Sequence, residues 1–173
     1  MRYGAIDIGS NAVRLLIAEI IQKGEDISFK KNTLLRVPVR LGDDAFVDKR
    51  ISEKKISDLC KTMSAFKNLM DVQEVESYMA CATSAMREAE NGPEVVARVK
   101  EYSGIDIEIV EGQREAGIIY ANKLEKFIDP KNDYLFIDVG GGSTELSVFS
   151  GGKPIFSKSF NIGTIRMLDH QDK

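Results

Sequence analysis

The feature that most constrains the fold is an ungapped repeat of one strand–turn–strand pattern, whose two copies are offset by 131 residues. In each copy an aspartate ends the first strand, a glycine opens the turn, and small polar residues lead into the second strand. Such a long period favours two similar lobes, and we expect each lobe to offer one turn to a shared cleft. The matching positions are Tyr3 with Tyr134, Ile6 with Ile137, Asp7 with Asp138, Ile8 with Val139, Gly9 with Gly140, and Leu15 with Leu146.

The chain is short for two complete lobes. Only about 40 residues follow the start of the second copy, which is too few to bury a separate core. Residues 1–129 are therefore predicted to form the first lobe, and residues 130–173 the beginning of a second, incomplete lobe. Either this second part packs as an extension of the first, or the chain is a piece of a longer protein.

Apolar periodicity predicts strands that alternate with helices, which is typical of an α/β fold with a sheet covered by helices. Three strands come first, and helices are predicted after Ser52, from Pro93 to Gly104, and over about 113–127, with a strand before each of the last two. Three further strands follow from Tyr134, joined by turns at 140–142 and 150–153.

Composition excludes several classes of function. A net charge of −3 and a pI near 5.3 argue against binding long nucleic acids, which needs many lysine and arginine contacts to phosphates. Two cysteines and one histidine, His170 in a polar tail, do not support a disulfide framework, a zinc site or a histidine triad. No apolar run approaches the roughly 18 residues of a membrane span, and no export signal is present, so we expect a cytoplasmic protein.

The second turn combines an anion site with carboxylates. Glycine backbone in Gly140–Thr144 can present successive amides to a phosphate, and the hydroxyls of Ser143 and Thr144 can add donors. Asp138 repels an anion, so its natural partner is a divalent cation such as Mg²⁺, with Glu145 as a second carboxylate. No P-loop or dinucleotide-binding glycine pattern is present, and the turn is therefore a phosphate loop of another type.

Three other sites have both a chemical and an ordinary interpretation. The first turn offers Asp7, Ser10 and Asn11, which could instead form a hairpin turn that satisfies its own backbone. Arg87 could hold a phosphate through two hydrogen bonds or lie solvated on a helix. Glu115 could be a general base or a carboxylate that favours a helix start.

Four strings, in order and spacing, resemble the N-terminal portion of the exopolyphosphatase and guanosine pentaphosphate phosphohydrolase family. This family lies in the superfamily of actin, chaperone ATPases and sugar or acetate kinases. The resemblance implies a ribonuclease H-like lobe with a mixed five-stranded sheet and flanking helices, plus the first strands of a second similar lobe. The strings are AIDIGSNAVRLLIAEI, ATSAMREAEN, EIVEGQREAG and IDVGGGSTEL, and FNIGTIRM resembles the family's passage into its second lobe.

The resemblance also implies a role for each candidate. It makes Glu115 the base that activates water, and it makes polyphosphate or guanosine pentaphosphate the substrate. Asp138 and Glu145 would bind Mg²⁺, with Asp7 near the ion. The phosphate contacts would come from Ser10, Asn11, Arg87, Gly140, Gly141, Gly142, Ser143 and Thr144.

Departures from the family pattern leave the substrate open. Arg114 and Gly117 replace a frequent acidic residue and a frequent arginine around Glu115, and Ala12 replaces a frequent serine. The positive charge of Arg114 should favour the ionised form of Glu115. Family members continue past Lys173, so we expect weak or no turnover from this chain alone. Family members are also often dimers, and whether this chain forms a homodimer stays open.

Two other functions remain as alternatives. A kinase of the same superfamily would pass phosphate from ATP to a hydroxyl, but the QREAG segment matches the glutamate position of the hydrolases. An actin-like module that binds phosphate or nucleotide without catalysis would use the same turns.

Overall fold

The computed structural model describes residues 1–23, 26–111, 114 and 129–169, which belong to two compact units, Met1–Ile109 and Val110–Lys173. Most of the helix expected at about 113–127 lies outside the described residues, as do Glu115 and His170. The predicted lobe boundary at 129/130 comes directly after residues 115–128, which are outside the described residues, and it stays a prediction.

The first unit contains the expected mixed five-stranded sheet, in the order β3-β2-β1-β4-β5. The first three strands are antiparallel, whereas β4 runs parallel to β1 and β5 runs parallel to β4. The strands are β1 (Arg2–Ile8), β2 (Val13–Lys23), β3 (Asp26–Val37), β4 (Ser77–Ala82) and β5 (Glu108–Ile109). The helices are α1 (Leu41–Ala45), α2 (Glu53–Val72), α3 (Ser84–Glu88) and α4 (Gly92–Ser103).

The core of this unit lies between one face of the sheet and the long helix α2. Alternate residues of β1 and β2 are buried because successive side chains of a strand point to opposite faces. The helix contributes apolar side chains at intervals of three or four residues, which confirms the helix predicted after Ser52. The buried residues that β1, β2 and α2 contribute to this core include Ile6, Ile8, Val13, Leu15, Ile17, Ile56, Leu59, Met63, Phe66 and Met70.

Sequence signals located α4 well and missed the short helices. Pro93 lies in the first turn of α4, and Gly104 ends it with a left-handed φ of 72°. The expected strand at 26–41 ends at Val37, and α1 follows because tertiary contacts hold it: the Gly42 amide donates to the Ser10 carbonyl at 2.8 Å. Five-residue helices such as α1 and α3 are too short to show a periodic apolar pattern.

Asn91 joins the start of α4 to the loop before α2. Its side chain is buried, accepts a hydrogen bond from the Ile51 amide at 2.9 Å and donates one to the Ile51 carbonyl at 2.9 Å. Asn91→Ala should lower the free energy of unfolding by about 2–4 kcal/mol in a urea titration, because two buried backbone groups lose their partner. Asn32→Ala, at an exposed position of β3, should change it by less than about 0.5 kcal/mol, and equal effects of the two substitutions would contradict this role.

The second unit contains the three strands expected from Tyr134 and a short helix that was not expected. The strands form an antiparallel sheet in the order β6-β7-β8. Gly151 and Gly152 form the predicted turn with φ of 59° and 76°, which glycine adopts without steric strain. The elements are β6 (Tyr134–Val139), β7 (Thr144–Ser150), β8 (Lys153–Phe160) and α5 (Thr164–Asp169).

The two faces of this sheet differ. Phe149 is buried on one face, where its ring meets the edge of Phe136 at a centroid distance of 5.1 Å. On the other face Leu135, Ile137 and Val139 are each more than half exposed. Among the described helices, none is long and apolar enough to cross a membrane.

Candidate phosphate and metal site

The two copies of the sequence repeat form hairpins with the same register. In the first copy, Asp7 pairs with Arg14 across β1 and β2. In the second, Asp138 pairs with Glu145 across β6 and β7, and every paired position is shifted by the same offset as the sequences. The repeat is therefore a repeat of backbone geometry as well as of residue types.

The two turns are also closed in the same way. The Gly9 amide donates to the carbonyl of Ala12 at 3.1 Å, and the Gly140 amide donates to the carbonyl of Ser143 at 2.8 Å. A Cβ at either glycine would lie 3.1–3.3 Å from that carbonyl oxygen, which is closer than most side chains allow. Glycine at the start of each turn therefore serves a tight closure.

The hairpins differ in the charge that faces the aspartate. Asp7 forms an ion pair with Arg14 at 3.2 Å, and both side chains are about half exposed. Asp138 faces Glu145, and two like charges directly opposite each other in a sheet are destabilising. A cation would remove this repulsion, so the second hairpin is the better cation site. The sequence analysis did not predict the ion pair of Arg14 with Asp7, although the repeat aligns Arg14 with Glu145.

The carboxylates of the second hairpin fit Mg²⁺. Asp138 is exposed, and Glu145 is buried with its Oε1 accepting a hydrogen bond from Ser159 Oγ at 2.8 Å. Mg²⁺ usually takes one or two protein carboxylates and completes its shell with phosphate oxygens and water. In the part of the chain that the structure describes, no three acidic, histidine or cysteine side chains form a metal-binding group.

The carbonyl oxygens of the three glycines in the second turn all accept hydrogen bonds from α5. This helix begins 24 residues after Gly140, so the contact depends on the fold rather than on the local sequence. The bonds run from the Thr164 amide to Gly140 at 3.0 Å, from the Ile165 amide to Gly141 at 2.9 Å, and from Arg166 Nε to Gly142 at 2.5 Å.

These bonds determine the direction of the amides. In a trans peptide the N–H of one residue points opposite to the carbonyl of the residue before it, and no cis peptide bond occurs among the described residues. The amides of Gly141, Gly142 and Ser143 therefore point away from α5. Within the described ranges none of these three amides has an acceptor. Successive amides without protein acceptors are the kind of backbone group that can bind an anion.

Two hydroxyls of this turn have different surroundings. Thr144 Oγ1, which was expected to donate to phosphate, donates to the Ile162 carbonyl at 2.6 Å. Ser143 is buried, and its Oγ has no hydrogen-bond partner in the described part of the chain. Buried hydroxyls are normally bonded, so Ser143 is the better candidate for a contact with a ligand.

In the first unit, Ser10 and Arg87 lie at neighbouring strand ends. Strands β1 and β4 are parallel neighbours, so the turn after β1 and the start of α3 meet at the same edge of the sheet, where α/β proteins commonly bind ligands. Ser10 Oγ lies 2.9 Å from Ser84 Oγ, and both residues are buried. Asn11 is exposed, and its carbonyl accepts a hydrogen bond from the Arg40 amide at 2.9 Å.

The structure thus brings the predicted site residues together in two groups. The first unit holds Asp7, Ser10, Asn11 and Arg87 near the ends of β1 and β4. The second unit holds the glycine turn with its two carboxylates. Glu115 lies outside the described residues, and its role stays a prediction.

Comparison with known proteins identifies a family. The model of the Ppx/GppA phosphatase family matches residues 20–171. A bifunctional 3-dehydroquinate synthase/phosphatase of Fusobacterium nucleatum is 33% identical over 171 residues, which are 95% of this chain and 26% of that protein. Exopolyphosphatase 1 of Mycobacterium tuberculosis is 27% identical over 167 residues, 96% of this chain and 48% of that protein.

A solved structure supports the same relationship. The crystal structure of an exopolyphosphatase from Cytophaga hutchinsonii is 29% identical, with a TM-score of 0.86 over 98% of this chain and 53% of that one. The likeness confirms the predicted fold class, a ribonuclease H-like lobe of the actin-like ATPase type. The chain spans about half the length of each of these two exopolyphosphatases.

Proposed function

Because the chain belongs to the Ppx/GppA phosphatase family, we propose that it forms the phosphate- and cation-binding part of a hydrolase that releases terminal phosphate from polyphosphate or guanosine pentaphosphate. One observation carries the proposal. The opposed carboxylates Asp138 and Glu145 lie beside a turn whose glycine carbonyls all face α5, which leaves its amides available to an anion.

The second unit binds and orients the terminal phosphate. The amides of Gly141, Gly142 and Ser143 donate to its oxygens, and the Ser143 hydroxyl can add a fourth donor. Asp138 and Glu145 hold Mg²⁺, which when bound neutralises negative charge on the phosphates. Thr144 supports the turn through its bond to the Ile162 carbonyl rather than through phosphate.

The first unit has its own candidate groups for binding phosphate. Arg87 can donate two hydrogen bonds to one phosphate group, and Asn11 is exposed in the turn after β1. The Ser10 hydroxyl is hydrogen-bonded to the Ser84 hydroxyl, which holds the turn after β1 in position. The same Ser10 hydroxyl can also form a hydrogen bond with phosphate. Asp7 forms an ion pair with Arg14, and its expected place near a metal ion stays a prediction.

Glu115 is proposed as the general base. Its carboxylate accepts a proton from water as the water oxygen bonds to the terminal phosphorus, while the bridging P–O bond breaks and the shortened chain leaves. Arg114, the exposed neighbour, adds a positive charge that favours the ionised carboxylate.

A panel of substrates tests this proposal. Phosphate release is measured from polyphosphate, guanosine pentaphosphate and ATP, with and without Mg²⁺, by this chain and by any longer form of the protein that contains it. We expect Mg²⁺-dependent release from one of the first two substrates by the longer form, and slow or no release by the 173-residue chain. Binding of these compounds without hydrolysis would support the non-catalytic module, and phosphate transfer from ATP to a metabolite hydroxyl would support the kinase.

A reducing compartment suits this chain. Cys60 is buried and Cys81 is partly buried, and neither forms a disulfide. We propose a cytoplasmic location because a sequence with only two cysteines does not support a disulfide framework.

A further inference from the structure

Glu145 is the only charged side chain that is buried among the residues that the structure describes. The register of the second sheet places it between Asp138 on β6 and Ser159 on β8, and all three side chains lie on the same face. A buried carboxylate between an acid and a serine lacks the basic partner that normally offsets the loss of hydration.

One hydrogen bond holds this carboxylate. Ser159 Oγ donates to Oε1 at 2.8 Å, and no basic side chain in the described part of the chain pairs with Glu145. Because the serine engages Oε1, Oε2 is the oxygen without a described partner. The hydroxyl therefore restricts the rotation of the carboxylate while leaving one oxygen available.

We propose that Ser159 is a positioning residue for the cation site, which holds Glu145 through Oε1 so that Oε2 can bind a divalent cation. This inference rests on the proposed function, in which Glu145 is a ligand. Carboxylate ligands of metal ions are commonly held by a second hydrogen bond of this kind, and its loss weakens metal binding. Nothing in the local sequence distinguishes Ser159 from Ser157, the other serine of β8.

Ser157 provides the comparison within the same strand. It lies on the same face, two residues earlier, and its hydroxyl lies 3.1 Å from the hydroxyl of Ser147 rather than near a carboxylate. A serine that only fills space on this face should behave as Ser157 does.

The experiment compares Ser159→Thr with Ser159→Val. These side chains have nearly the same shape and both suit a strand, so the pair differs mainly in the hydroxyl donor. Mn²⁺ binding to the 173-residue chain is measured by electron paramagnetic resonance, and unfolding without the cation is followed by circular dichroism. We expect Ser159→Val to raise the Kd for Mn²⁺ by at least about tenfold relative to Ser159→Thr. Ser157→Val should bind as the unmodified chain does.

The outcomes separate this inference from the function on which it rests. Equal affinities of the Thr and Val variants, with normal binding by the unmodified chain, would overturn only the role of Ser159. Absence of Mn²⁺ binding by the unmodified chain would overturn the proposed cation site itself. If Ser159→Val does not fold, Ser159→Ala removes the hydroxyl donor with a smaller change of shape, and unchanged Mn²⁺ affinity in that variant would also overturn the role.

Discussion

Gly163→Ala is expected to weaken phosphate binding by more than about tenfold, because it separates α5 from the glycine turn. A Cβ at this position would lie 2.5 Å from the carbonyl carbon of Gly141 and 2.6 Å from that of Gly142. Both contacts are with backbone, which cannot rotate away as the end of a side chain can. Moving the helix would break the bonds that hold the three glycine carbonyls, and the amides would lose their direction.

The measurement is calorimetric titration with polyphosphate in the presence of Mg²⁺, beside unfolding in urea. Gly151→Ala is the matched control in the same unit: no atom lies within 4 Å of the added Cβ, but φ is 59°. It should lower stability by about 1–2 kcal/mol through backbone strain and leave phosphate affinity unchanged. If Gly163→Ala binds polyphosphate as the unmodified chain does, the contact with α5 does not orient the turn.

Glu115→Gln is expected to lower kcat for phosphate release by about 10²–10⁴, the range that a general base contributes. Glutamine keeps the size and hydrogen-bonding reach of the side chain but cannot take the proton of the attacking water. Substrate binding through the glycine turn should be retained, since Glu115 belongs to a different segment of the chain.

The assay follows release of phosphate from polyphosphate by a form of the protein that is active in the substrate panel. Glu111→Gln is the control, because Glu111 is an exposed glutamate four residues earlier and has no assigned part in binding or catalysis. It should retain normal turnover. A Glu115→Gln variant with more than about a tenth of normal turnover would place the base elsewhere and would falsify this assignment.

Long elements were predictable because their apolar pattern repeats over several turns or strand residues. The helix after Ser52 and the helix between Pro93 and Gly104 are confirmed, as are the three strands from Tyr134. The helices α1, α3 and α5 have five or six residues each, and contacts from distant segments hold them. The difference in charge between the two hairpins was visible in the sequence, since the repeat aligns Arg14 with Glu145. The strand register was needed to show that Arg14 faces Asp7 and that Glu145 faces Asp138.

The sequence by itself determined the repeated strand–turn–strand unit, the residue types in its turns and the family, because these depend on local order and on residue identity. Only the tertiary structure decided that the glycine carbonyls face α5, that the Thr144 hydroxyl is bonded to backbone, and that Ser159 holds a buried Glu145. Each of these contacts joins segments 14 or more residues apart. The directions of these hydrogen bonds depend on how the elements pack, and local residue patterns do not determine that packing.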